Sequence, residues 1–310
     1  MAISALAKVG IGWETEWGSP AAPTVVFPID DWSLTGPYEQ ILDNAKRGVL
    51  AADFGAYQGV GHAEASLEGP VFPDLFGYVL LAVFGQGSVS GTAAPYTHTF
   101  TFYGTPPSLS ITEDNVVRQH QGRGMLASEL SMSFNPTEGL LSYSVSFTGK
   151  QLGTVSESFP SELYLGTPMF RGWQGSIDLG GTYFPVIEGD LTISREVTLH
   201  YTLSNSQYPG TAYVGPPVVT GSFTIDYTSG ADYDRYRLHQ QGSVDLQFII
   251  NANKKLTITL GSVDFSEDAV ELDKGEASIT LAYSWRALYV SSLGGPAKAV
   301  LICDTADFGP

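Results

Sequence analysis

The chain has a single cysteine, Cys303, so no disulfide can form within it. That excludes a disulfide-stapled scaffold and fits folding in a reducing compartment. Basic residues are scarce: 15 Lys and Arg stand against 32 Asp and Glu, giving a net charge of −17. Affinity for nucleic acid phosphates comes from Lys and Arg, so a grip on nucleic acid is not expected. Acidity keeps a protein soluble, and it can also make a wall that repels passing DNA. Composition does not choose between these uses. Long apolar runs are missing too. The longest, Tyr78 to Phe84, falls far short of a membrane span. The opening MAISALAKVGIGWETEW puts Lys8 behind a short apolar run, which does not fit a secretory signal.

Catalytic constellations are also absent from the sequence. The five histidines, His62, His98, His120, His200 and His239, form no H-x-x-x-H or H-E-x-x-H pair. Asp30-Asp31, Glu113-Asp114 and Glu267-Asp268 are adjacent, and neighbours on a strand point to opposite faces. A carboxylate pair brought together from distant strands stays open. There is no G-x-S-x-G elbow and no phosphate-cradling glycine loop. Gly122-Arg123-Gly124 reads as a turn, and Arg118, His120 and Arg123 as a small basic loop patch suited to a neighbour's carboxylates. The expectation is a protein with no cofactor, no metal and no chemistry of its own.

What the chain does have is apolar material and turns. Hydrophobic residues make up 43% of 310, enough for a core, and that length suggests about two domains. Gly, Pro, Ser, Thr, Val and Tyr recur, as in short strands joined by turns. Ser142–Phe147, Leu256–Leu260 and Ser278–Tyr283 alternate polar and apolar, the mark of a strand with one wet face. Further strands are expected at Ser108–Glu113, His98–Phe102, Leu126–Phe134, Gly221–Tyr227 and Ser243–Ile250. One helix is predicted over Pro73–Phe84, with Pro at its start and Gly85 at its end. It is apolar nearly all round, so it belongs between layers. A weaker, polar helix is expected at Ala231–Gln241.

The two halves share an order of features. Phe27-Pro28-Ile29 corresponds to Phe184-Pro185-Val186, and Ser131 to Phe134 corresponds to Ser262 to Phe265. The offset is 157 residues at the first anchor and 131 at the last, so the first half carries 26 extra residues, best placed at Gln86–Thr105. This predicts a duplicated β-domain, residues 1–155 and 156–310, with the boundary inside Gln151–Pro168.

Several segments together resemble the tail tube proteins of long-tailed phages. Gly10–Ser19 followed by Pro20–Pro28 looks like that family's opening strand, Glu- and Trp-containing turn and proline-bearing approach. Gly69-Pro70-Val71-Phe72-Pro73 leading into Leu75–Gly85 is similar to its helix ending in Phe-Gly. Pro107–Glu113, Gln121–Leu126, Leu130–Phe134 and Gly139–Gly149 look like its later strands and closing hairpin. The likeness is best from Ile3 to about Lys150 and looser beyond.

The resemblance implies an all-β fold with a minor helix: two tandem tail-tube-type β-sandwich domains, each contributing strands to a ring-forming inner β-barrel. It implies a structural virion protein, assembled in the host cytoplasm. Stacked rings of six one-domain copies, or three of these two-domain chains, would surround a channel through which DNA passes without specific binding. Partners would be further copies and other tail proteins: tape measure, terminator and distal tail proteins. No membrane is involved. Carboxylates next to apolar strand neighbours are the candidates for the lumen wall: Glu64, Glu68, Glu129, Asp190, Asp226, Asp245 and Asp264. Two long polar loops, Tyr38–Gly61 and Glu196–Pro217, are candidates for ring stacking. The rival reading is a carbohydrate-binding or adhesin-like β-sandwich using Trp13, Trp17, Trp32, Trp173 or Trp285 as platforms. A hydrolase with a carboxylate pair is a third.

Overall fold

Alternation in the sequence becomes strand after strand. The computed structural model describes residues 4–137, 139–161, 168–227, 229–271 and 279–309. The first half contains β1 (Lys8–Trp13), β2 (Val25–Phe27), β3 (Asp31–Thr35), β4 (Tyr38–Asp43), β5 (Gly55–Gly61) and β6 (Ala63–Pro70). Helix α1 (Pro73–Phe84) follows, then β7 (Gly85–Ser90), β8 (Tyr96–Phe102), β9 (Leu109–Asp114), β10 (Gln119–Phe134), β11 (Ser142–Gly149) and β12 (Gln151–Val155). The second half contains β13 (Gly175–Leu179), β14 (Thr182–Tyr183), β15 (Val186–Ser194), β16 (Val197–His200), β17 (Thr211–Val214) and β18 (Val218–Asp226). It ends with α2 (Gly230–Arg237), β19 (Gly242–Asn251), β20 (Lys254–Glu271), β21 (Thr280–Ala287) and β22 (Ala297–Cys303).

Antiparallel pairing builds one long run in the order β3-β6-β11-β10-β15-β18-β21-β20. A second layer covers it in two pieces. One is β2-β1-β9-β10-β12, using the N-terminal part of β10. The other is β14-β13-β19-β20-β22-β8-β7, using the N-terminal part of β20. The two long strands therefore serve both layers. Each carries an extra residue where it passes between them: at Gly122–Met125 in β10, where Gly124 has φ 67°, and around Gly261–Ser262 in β20. Bulges bend strands in this way. Gly122-Arg123-Gly124 is thus a bulge within a strand, not the turn expected.

The fold is mostly β, as expected, but the strands of both halves join in one hydrogen-bonded system rather than two separate sandwiches. The pairs β10–β15 and β8–β22 connect them. The long run does not close on itself. Among the described residues, β3 and the C-terminal part of β20 are each paired along one side within it. An inner barrel is therefore not a property of the single chain.

The strand order repeats: β3-β6-β11-β10 and β15-β18-β21-β20 follow one pattern. Comparing equal places, the offset is 156 residues between Ser66 and Ser222 and 138 between Ser146 and Ser284. The first half carries 18 extra residues rather than 26, and the β7–β8 hairpin spans Gly85 to Phe102. The Ser131–Phe134 and Ser262–Phe265 anchors were mismatched, because the bulge after Ala127 corresponds to the one after Phe265.

Helix α1 lies where its composition demands. Ten of its 12 residues are buried, among them Phe76, Leu80 and Phe84. It contacts β7, β8, β10, β20 and β22 and so packs against strands of both halves. Gly85 ends it in the left-handed region, φ 91°, with its N–H donated to Leu81 O. The polar helix is shorter than expected, ending at Arg237.

The C-terminal segment straps this helix. Phe308 packs over Gly77, where a Cβ would lie 2.2 Å from its ring, and Trp13 Nε1 donates to Phe308 O at 2.8 Å. Lys254 fastens the strap. Its ammonium, buried at 6% exposure, reaches Asp74 at 2.5 Å and Asp304 at 2.7 Å. Burial works against the Lys254 charge, but hydrogen bonds to Asp304 and Asp74 outweigh it and hold the pKa above the ordinary lysine value. A raised folded pKa means stability that is complete below the ordinary lysine pKa and is lost as pH climbs through the raised one. Lys254→Met should cost about 2–3 kcal/mol. In thermal melts, the gap between wild type and variant should stay constant through neutral pH and close only above the ordinary lysine range.

Candidate functional site

The inner run has one buried face and one open face. Along β6, Ala63, Ala65 and Leu67 point inward while Glu64, Ser66 and Glu68 point out. Register carries the outward set across the run. Glu64, Ser66 and Glu68 stand opposite Thr148, Ser146 and Ser144 of β11. Glu129, Ser131 and Ser133 of β10 follow, then Ser194, Thr192 and Asp190 of β15. Ser222 and Thr220 of β18 and Ser284 and Arg286 of β21 continue the face. Hydroxyls bond directly across it: Ser33 to Ser66 at 2.8 Å, Ser131 to Thr192 at 3.0 Å, Ser133 to Ser142 at 2.8 Å.

Carboxylates are interspersed with these hydroxyls. By register Asp31, Glu68, Arg286 and Asp264 lie in one row across the run with Ser144, Ser131, Thr192 and Thr220; Glu64 and Glu129 lie to one side of that row and Asp190 and Asp226 to the other. Six of the seven expected acids, Glu64, Glu68, Glu129, Asp190, Asp226 and Asp264, thus share this face. Asp245 does not. It sits on β19 between Asp178 and Thr259, in the second layer. Asp31 and the hydroxyl residues between the acids were not expected. Their only signal was strict alternation with core residues.

The basic patch is not a loop. His120 and Arg123 lie within β10, and Arg118 directly precedes it. Arg118 Nη2 donates to Thr154 Oγ1 at 2.6 Å, His120 Nδ1 lies 2.9 Å from Glu113 Oε1, and Arg123 Nε donates to Gln121 Oε1 at 3.0 Å. They line the layer whose edge is β12.

The two expected stacking loops are hairpins, β4–β5 and β16–β17. They leave the same end of the run, after Thr35 and after Ser194, and they touch each other. Tyr38 and Tyr208 hydroxyls are 2.6 Å apart, and Gly61 N donates to Gln207 O at 2.9 Å. The Tyr208 hydrogen bond and then burial raise the Tyr38 pKa. Leu50 and Leu203 are fully exposed at their tips. β4 buries almost nothing, so alternation had no core to register against.

Two charged groups escaped the sequence reading. Glu14 is buried and accepts from Gly18 N, Gly124 N, Ser108 Oγ and Ser110 Oγ at 2.7–2.8 Å, pinning the first turn to the β10 bulge. Arg195, 3% exposed, donates to Val83 O, Tyr103 O and Gly215 O, and burial lowers its pKa. The tryptophans offer no platform. Trp13, Trp17 and Trp32 donate their indole N–H groups to Phe308, Gly124 and Glu113, Trp285 is buried, and Trp173 is exposed without a neighbouring tryptophan.

These features define a class: a β-sandwich building block whose inner run has one polar face and, among the described residues, two open edges, with paired hairpins projecting from one end. The comparison with known families agrees. The family model described as phage tail tube protein matches residues 4–287, and the chain belongs to that family. It is a structural, non-enzymatic family of virion components. No curated protein matches the chain.

The strands of β4–β5 are mostly exposed, and this hairpin meets the β16–β17 hairpin through Tyr38, Gln58 and Gly61. Replacing residues 39–60 by a short Gly-Ser linker should therefore leave the fold intact. A melting midpoint within about 4 °C of wild type would be the expected reading.

Proposed function

We propose that this chain is a tail tube subunit whose inner run joins that of neighbouring copies into a closed barrel around a DNA channel. The observation that carries the reading is the open run: a polar face bounded by β3 and by the end of β20, each an unpaired edge among the described residues. Unpaired edges attract further strands, and ring closure satisfies both at once. The repeated strand order supports a duplicated unit, residues 1–155 and 156–310, and hence a ring of three chains rather than six.

The joint inside the chain supplies a template for the joint between copies. Within the chain, Ser131 faces Thr192 and Ser133 faces Asp190. The repeat offsets transfer these pairs to Ala269 facing Thr35, and Glu271 facing Ser33, of the next copy. In this ring the open face becomes the bore. Its carboxylates repel the DNA backbone while short hydroxyls leave it smooth. The hairpins at one end stack rings, with the β12 edge and Arg118, His120 and Arg123 facing a lateral neighbour. Assembly in the host cytoplasm and contacts with tape measure, terminator and distal tail proteins follow from the same role.

A cysteine pair tests the joint. Facing residues on antiparallel strands suit a disulfide. Thr35→Cys with Ala269→Cys should give covalent dimers and closed trimers on oxidation of assembled rings. Burial pushes the Cys303 thiol up to about 12, which keeps it out of the reaction. Products of six chains, or none from assembled rings, would overturn the three-chain joint.

The bore is tested separately. Glu64→Lys, Glu129→Lys and Asp190→Lys together should leave rings visible by electron microscopy. Plaque yield should fall at least about tenfold, because a cationic wall holds phosphates. Normal infectivity would refute the bore assignment.

A further inference from the structure

A cleft of about 560 Å³ opens at the hairpin end of the second half, between the inner run and the covering layer. Tyr103, Arg195, Pro216, Pro217, Arg286 and Tyr289 are among its lining residues, and no carboxylate is. In a chain with 17 more acids than bases, a lining with two arginines and no acid is a local inversion of charge, although Asp264 faces Arg286 across β20–β21 just outside it. Arg195 is buried, yet its hydrogen-bond partners are all backbone carbonyls. Val83 O, one of them, belongs to the last turn of α1, where the helix dipole offers only a partial negative charge. A guanidinium has five N–H donors, so two remain on Arg195. Arg286 is exposed and makes no ion pair among the described residues.

The opposite end of the same run has the complementary character. Asp30 and Asp31 lie at the start of β3 and Glu188 in β15, all exposed, and Asp190 and Asp226 lie nearby on the open face. The cleft is continuous with the base of the β16–β17 hairpin, since Val214 to Val218 line it. We infer that the Arg195–Arg286 cleft is a docking site for a carboxylate-bearing segment at the far end of a second copy, in the ring stacked above. This rests on the tube reading and adds a polar lock to the hairpins. Guanidinium forks suit carboxylates because two parallel N–H groups meet two oxygens.

The test is assembly of the full chain, followed by sedimentation and electron microscopy over a salt series. Arg286→Glu should still give rings, because the residue is exposed and lies on β21 rather than on either edge strand. The ring concentration needed for tubes should rise about tenfold, and Arg286→Gln should fall between. Wild-type tubes should weaken with salt more steeply than those of Arg286→Glu. Adding Asp31→Arg or Glu188→Arg to Arg286→Glu should restore part of the loss. Tubes that form from Arg286→Glu at the wild-type concentration and with the wild-type salt dependence would overturn the lock while leaving the tube reading standing. A wild-type chain that forms neither rings nor tubes would end both.

Discussion

An unpaired sheet edge governs this molecule. Every second residue along β3 and the end of β20 presents N–H and C=O groups that water must satisfy in the lone chain. Most edges are blunted by charge, proline or shortness. Here the edges terminate a run whose inner joint, β10 against β15, is already an edge-to-edge union of two like units. The chain therefore contains, within itself, the contact that the proposed ring repeats. Everything else can be read as preparation for that contact: a buried face to keep the run rigid, an open face with nothing large on it, and hairpins kept clear of the edges.

The joint within the chain carries more than strand pairing. Arg195, just past β15, holds the end of α1 from the first half through Val83 O. Lys254 of β20 binds Asp74 of α1, and β22 pairs with β8. The repeat equivalents of Arg195 and Lys254 are Tyr38 and Val116, which cannot play these parts. A joint between copies made on the same register would thus depend on backbone pairing without the clamps. That inequality suits a subunit that must stay whole when free yet join reversibly until the ring closes. Buried charge is costly, and both clamps sit where it welds the halves rather than where copies would meet.

Legibility followed the source of each signal. Helix α1 was readable to the residue because Pro73 and Gly85 act locally. Strand faces were readable wherever a core lay beneath, as in Ser142–Phe147. Sheet membership was not. Asp245 alternates with Val244 and Leu246 just as Glu64 alternates with Ala63 and Ala65, and alternation reports a wet face without saying in which layer it lies. Glycine misled at Gly122 and Gly124, since a bulge and a turn ask for the same backbone freedom. The β4–β5 and β16–β17 hairpins bury too little for any period to show. Arg195 lies in the polar stretch Ser194-Arg195-Glu196, and only tertiary structure reveals that α1 ends beside it.

The hydroxyls interspersed with the carboxylates bear on how such a face meets DNA. A bore lined solely by carboxylates would repel a phosphate backbone everywhere, and a bore with lysines would hold it. Serine and threonine do neither strongly. Some of their hydroxyls bond one another, as in Ser33–Ser66 and Ser131–Thr192, and those pairs offer fewer free donors to a phosphate. Short side chains also keep the backbone of each strand close to the surface. In the proposed ring the carboxylates would centre the duplex while the hydroxyls among them let it move. Arg286 faces Asp264 across β20–β21, which offsets its charge only in part. It is the one cation among the outward residues of the inner run described above, and an acid docked from a stacked copy would neutralise it before DNA arrives.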